Sequence, residues 1–150
     1  MARVLGMNAK AYRSTTLLDG SANTPTSVTW DLVPNIKDLE ISLETDEADV
    51  TTRDNSGWKQ TLASLKDGSI EFDMIWDTAD SDFTAIRDAW LNGTEFTFMA
   101  LDGLEATTGS QGLASNFTVT GFSRSEPLAE AITVSVTLKP SSYTEWFTTA

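Results

Sequence analysis

Glu40 and Glu71 stand on the polar sides of two alternating segments. Paired carboxylates can divide general-acid and general-base duties in glycoside hydrolysis. The polar faces around them are repetitive and carry no aromatic platform for a sugar, so a solvated acidic face accounts for them better. Asp80, Asp82, Thr84 and Asp88 approach calcium-loop spacing, but the glycine at the sixth position and the glutamate at the twelfth are missing. A helix start explains the same acids, because carboxylates meet the positive end of the helix dipole there. The 150 residues include no His and no Cys. That excludes a Ser-His-Asp triad, a thiol nucleophile, disulfides and the usual zinc site. Ten Lys and Arg against 22 Asp and Glu give a net charge of −12, the wrong sign for gripping nucleic acid through its phosphates. No catalytic residue, metal or cofactor is expected.

The elements that hold these residues are mostly strands. The chain has 22 threonines, many alternating with apolar neighbours, as β-branched residues do on a half-buried pleat. Residues 131–139 alternate without a fault: Ile132, Val134, Val136 and Leu138 point one way, Thr133, Ser135, Thr137 and Lys139 the other, and Pro140 is expected to stop the strand. Residues 116–123 repeat the pattern, with Phe117 and Val119 inward and Thr118 and Thr120 outward. A turn over residues 124–127 would join the two as an antiparallel hairpin. Residues 37–44 and 69–77 each have an apolar and an acidic face; weaker strands are expected at 11–18, 28–32 and 95–101. One helix interrupts the series over residues 80–93, with Phe83, Ile86 and Trp90 on its apolar stripe and Gly93 at its end. Loops are expected at 19–27, 45–56 and 102–112, the middle one long enough to suggest a function. The fold class is mainly β, a sandwich or barrel with one packed α-helix.

Length fits one domain over residues 1–140, followed by a tail of unassigned role at 141–150. Tyr143, Trp146 and Phe147 make that tail too apolar to float free, so it either folds back or docks on a neighbour. The N-terminal segment has two basic residues but no apolar core of signal-peptide length, and no run is long enough to span a bilayer. A cytosol-like compartment without membrane contact is expected.

The acidic strand faces carry the most information. Glu40, Ser42 and Glu44; Glu71 and Asp73; Thr118 and Thr120; and Thr133, Ser135 and Thr137 would make one continuous, short-chained, negative surface if their strands share a sheet. Such a surface lacks the mixed Lys and Glu of an ordinary solvated face.

The order of parts resembles the major tail tube proteins of long-tailed bacteriophages, especially those with flexible, non-contractile tails. The resemblance rests on Asp49-Val-Thr-Thr-Arg-Asp-Asn-Ser-Gly-Trp58 and on Leu62-Ala-Ser-Leu-Lys-Asp-Gly68, then an alternating acidic strand and a helix closed by Asn92-Gly93. It covers roughly residues 5–140. It implies that six copies form a ring whose strands close one inner β-barrel, and that rings stack into a tube. Assembled in a bacterial cytoplasm and carried in the virion tail, that tube would conduct double-stranded DNA without binding it specifically. A tape-measure protein and tail terminator and tip proteins are the implied partners. The ten acidic and hydroxyl residues above become lumen-lining candidates. Asp46, Glu47, Asp49, Thr51, Arg53 and Trp58 in the long loop, with Tyr143, Trp146 and Phe147, become inter-subunit or inter-ring candidates. A carboxylate-lined bore would repel phosphates within a Debye length of about 8 Å of the wall. The alternatives are the tube protein of a phage-like injection or secretion machine and a secreted β-sandwich binding module.

Overall fold

Alternation of apolar and polar residues builds nearly the whole molecule. The computed structural model describes residues 5, 6 and 9–149, apart from the side chain of Asn55; Arg3 of the N-terminal basic pair lies outside them. In chain order the elements are β1 (Lys10–Ser14), β2 (Asp31–Leu32), β3 (Ile36–Asp49), β4 (Thr61–Ile75), α1 (Ser81–Asn92), β5 (Glu95–Leu101), β6 (Gln111–Ser125) and β7 (Thr133–Thr148). The strands form one antiparallel sheet in the order β2-β1-β5-β6-β7-β4-β3.

This sheet folds over on itself. Phe72 of β4 stacks on Phe98 of β5 with ring centroids 5.5 Å apart, although β7 and β6 separate those strands in the sheet. The core between the two layers gathers Ile70, Phe72 and Met74 of β4 and Val134, Val136 and Leu138 of β7, none more than 3% exposed, with Phe98 and Phe117 opposite. β6 and β7 take part in both layers. Beyond Thr118, β6 has left β5 and pairs with β7 alone. Pro140 lies at a register shift between these two long strands, where Ser115 faces Thr144 but Phe117 faces Pro140.

That shift corrects the expected strand end. A proline without an N–H is tolerated where the ladder is already interrupted, and β7 runs through it to Thr148. Residues 141–148 therefore continue the sheet of residues 1–140, paired with the first half of β6. The tail folds back on its own domain. Phe147 is buried beside Leu101 and Ala114, and Tyr143 packs against the same cluster. Trp146 points outward, its Nε1 donating to Gln111 Oε1 at 3.0 Å.

Residues 15–30 cover the outer side of the β1–β5–β6 layer, where Leu18 and Trp30 join Met99, Leu101 and Ala114 in a second cluster. Buried Asn116 pins this loop. Its Oδ1 accepts from Leu18 N at 2.9 Å and Thr97 Oγ1 at 2.8 Å, and its Nδ2 donates to Leu18 O at 2.7 Å and Ser142 Oγ at 2.8 Å.

The helix has the expected bounds. Asp80 caps its start and Gly93, at φ 66°, ends it. Its buried residues are Asp82, Phe83, Ile86 and Ala89; Trp90 sits at the stripe's margin, stacked on Phe122 and 46% exposed.

Candidate acidic wall and assembly edges

Register places the expected wall residues on one face. Across three strands, Glu40 faces Glu71 and Glu71 faces Thr137; next to that row Asp73 faces Ser135, and below it Ile75 faces Thr133. Ser42 faces Ser69 and Glu44 faces Asp67 on the same side. Thr118 faces Lys139. The intervening rows, Ile41–Ile70–Leu138–Val119 and Leu39–Phe72–Val136–Phe122, turn to the opposite side, and all of them but the exposed Leu39 pack in the core. Period-two geometry thus separates acids from core between the register shifts, over residues 39–44, 67–74 and 134–139. Thr120 departs from the pattern: the register shift between Val119 and Gly121 leaves it in a bulge, its Oγ1 donating to Thr137 O at 3.4 Å.

The alternation also adds residues that the sequence reading left out. Asp67, Ser69, Ser123 and Ser125 lie on this face, Glu95 of β5 joins it opposite Thr118, and Lys139 is there as its alternation with Leu138 predicts. Lys139 Nζ lies 3.9 Å from Asp67, so this cation on the wall is spent on a neighbouring acid. Ser135 Oγ donates to Asp73 Oδ1 at 2.7 Å, and Ser141 and Ser142 donate to Glu95. A shallow depression lined by Asp38, Glu40, Glu71, Asp73, Ser135 and Thr137 lies in the middle of the face. It holds no nucleophile with a general base. Among the described residues, no group of three or more His, Cys, Asp or Glu is arranged to hold a metal ion. The acids that resembled a calcium loop are otherwise engaged: Asp80 caps the helix and accepts from Asn35 at 2.9 Å, and Asp82 pairs with Arg13 at 2.7 Å.

The segment at 45–56 is not the loop the sequence suggested. Thr45–Asp49 belongs to β3, and β4 begins at Thr61, so the two strands form a long hairpin whose connection is only residues 50–60. The polar run Thr45-Asp-Glu-Ala-Asp49 hides the alternation there. Beyond the last core pair, Ile41 with Ile70, the ribbon reaches about 25 Å at 3.3 Å per residue. Its tip is clasped by Thr51: Asp49 Oδ1 accepts from Thr51 N at 2.9 Å, and Thr51 Oγ1 accepts from Gln60 N at 2.8 Å. A 3-10 turn at Arg53–Asn55 then meets two left-handed residues, Ser56 and Gly57. Asp46, Glu47, Asp49, Thr51, Arg53 and Trp58 are all exposed on this ribbon. Leu43, Leu62, Leu65 and Trp58 are 56–75% exposed there, although an isolated two-stranded hairpin is marginal in water.

Two strand edges stand open beside the acidic face. Among the described residues, β3 pairs with β4 alone along its whole length, and β6 past Thr118 pairs with β7 alone. They are opposite borders of the same four-strand layer, β6-β7-β4-β3. Long unpaired edges invite another chain.

A family model described as phage tail tube protein matches residues 14–143. No curated protein sequence gives a match. Among solved structures, a chain from the tail of an empty gene transfer agent particle with C6 symmetry is similar at TM-score 0.70 and 17% identity, over 97% of this chain and 99% of that one. The SPP1 tail tube is similar at TM-score 0.66 and 16% identity, over 91% of this chain and 75% of that one. An extracellular contractile injection system sheath–tube complex follows at TM-score 0.59 and 10% identity, over 97% and 92%. With a folded-over antiparallel sheet, one α-helix among the described residues and most of its length matched by the family model, the chain belongs to the phage tail tube protein family.

Proposed function

We propose that six copies of this chain close into a ring through their free strand edges, and that the acidic face of the β6-β7-β4-β3 layer becomes the wall of a bore that conducts double-stranded DNA. The coincidence of that face with the two free edges carries the reading. Every neighbouring pair in the layer is antiparallel, so a β6 edge laid against the β3 edge of the next copy keeps the alternation unbroken. Six such layers would join roughly 24 strands, enough for an aqueous channel. The C6 symmetry of the gene transfer agent tail supports six. A wall of Glu40, Glu44, Glu71 and Asp73, softened by hydroxyls, repels phosphates and offers DNA no counterion-releasing partner. The repeated subunit turns those charges into a uniform field.

Stacking falls to the β3–β4 hairpin. Its acids, Arg53 and Trp58 extend toward the next ring, and contact there covers the exposed leucines. Trp146 is the surface member of the C-terminal aromatic group. Phe147 is withdrawn into its own subunit, so its role is internal packing. A tape-measure protein in the bore during assembly, and terminator and tip proteins at the tube ends, complete the partners. The similarity to an injection-system tube favours a second reading, with a cargo other than DNA; nucleic acid content of isolated particles separates the two. Negative-stain imaging of the purified protein tests the main reading. Hollow tubes are expected, and a protein that stays monomeric at high concentration refutes it.

A further inference from the structure

Between β3 and β1 the folded sheet does not close. A cleft of about 540 Å³ lies there, lined by Ala9, Ala11, Leu32, Val33, Ile36 and Leu39 and flanked by Lys10 and Lys37. A shallower apolar groove continues it along β3 past Ile41 to Trp146. Leu39 and Leu32 on this border are 36% and 45% exposed. At the other border of the subunit, the C-terminal end of α1 presents Trp90 and Leu91, 46% and 62% exposed. Trp90 stacks on Phe122, which lies in β6 past the point where β5 leaves it. The exposed end of the helix therefore stands beside the free β6 edge, on the core side of the layer. Leu39 lies on the core side of β3, beside the other free edge.

We infer that Trp90 and Leu91 of each subunit seat in the apolar cleft between β3 and β1 of the next subunit in the ring. The inference rests on the ring reading above. Pairing the β6 edge with a neighbour's β3 brings the helix end and the cleft to the same side of the joined sheet. Knob and hole occupy different surfaces of one chain, a head-to-tail arrangement that gives a ring when its rotation closes. Charge fits as well. The last turn of α1 has no basic residue, and Arg87, one turn earlier, is paired with half-exposed Asp88 at 3.2 Å, so the carbonyl end of the helix has no cation in its last turn. Lys37 at the rim of the neighbour's cleft supplies one.

The absence of cysteine makes a direct test clean. Leu91→Cys and Leu39→Cys are introduced together, and tubes are assembled and then oxidised. A ladder of disulfide-linked oligomers up to the ring number is expected, while each single variant yields no ladder. Leu91→Glu, at a solvent-facing position, is expected to melt as the parent does and to raise the concentration needed for tube formation more than tenfold. Imaging of the parent separates the two claims. If parent tubes form but the cysteine pair gives no ladder, or Leu91→Glu assembles at the parent's concentration, the seating is overturned and the ring reading survives. If the parent forms no rings or tubes, both fall.

Discussion

Replacing Glu40 and Glu71 together by lysine tests the wall most severely. The two glutamates face each other across β3 and β4 and both are exposed. The double change exchanges one like-charged pair for another, so the cross-strand cost to the subunit nearly cancels. Exposed substitutions otherwise move stability by about 0.5 kcal/mol or less. The wall changes much more: each Glu→Lys shifts charge by about two units, which cancels the contribution of the four acids Glu40, Glu44, Glu71 and Asp73 and places about twelve ammonium groups around a ring of six. Every lysine that meets a phosphate adds about 0.9 to the slope of log affinity against log salt, or about 3.5-fold between 50 and 200 mM. Two such contacts per ring make retention about twelvefold stronger at the lower salt. The assay is sedimentation of assembled tubes with a short labelled duplex at the two salt concentrations, followed by nuclease treatment of the pellet. Parent tubes should retain almost no duplex. Variant tubes should retain it at low salt, shielded from the nuclease, and release it at high salt. Variant tubes that form normally yet hold no more DNA than the parent, or hold it fully open to nuclease, refute the reasoning.

Other outcomes follow from the same structure. Replacing residues 50–60 with Asn-Gly, a pair that closes a two-residue hairpin, should leave a folded monomer by circular dichroism and abolish tubes in electron micrographs. Asn116→Ala strips partners from the buried Leu18 amide and carbonyl; chemical denaturation should report a loss of about 2–4 kcal/mol. The Asp19 carboxyl is held below its ordinary value chiefly by the Asn23 backbone N–H, then by that of Ser21. A lowered folded-state value contributes stability above the unfolded value and loses it as pH falls through the folded one. Asp19→Asn should therefore flatten that acid-side decline in thermal melts.

Periodicity makes much of this fold legible in the chain alone. Residues 131–139 alternate so cleanly, and residues 69–77 with the one exception of Ile75, that core and acidic face can be assigned by counting, and Asp80 and Gly93 mark both ends of the helix. The misreadings share a cause, since each concerns a place where a local rule meets a long-range partner. Pro140 reads as a stop unless one knows that β6 and β7 change register there. Residues 45–49 read as loop because a polar ribbon with no core beneath it has no apolar face to reveal it. Trp90 fits an apolar helical stripe, but Asp82 displaces that stripe by turning inward to Arg13. The open edges were beyond reach of the sequence, because whether a strand has a second neighbour is a property of sheet order.

The account depends above all on which way the acidic face points in the assembled tube. Cryo-electron microscopy of tubes grown from the purified protein answers that directly. The expected map places Glu40, Glu71 and Asp73 on the bore, with β3 of each subunit hydrogen-bonded to β6 of the next. A map with those carboxylates on the outer surface, or an assembly with no bore, contradicts it.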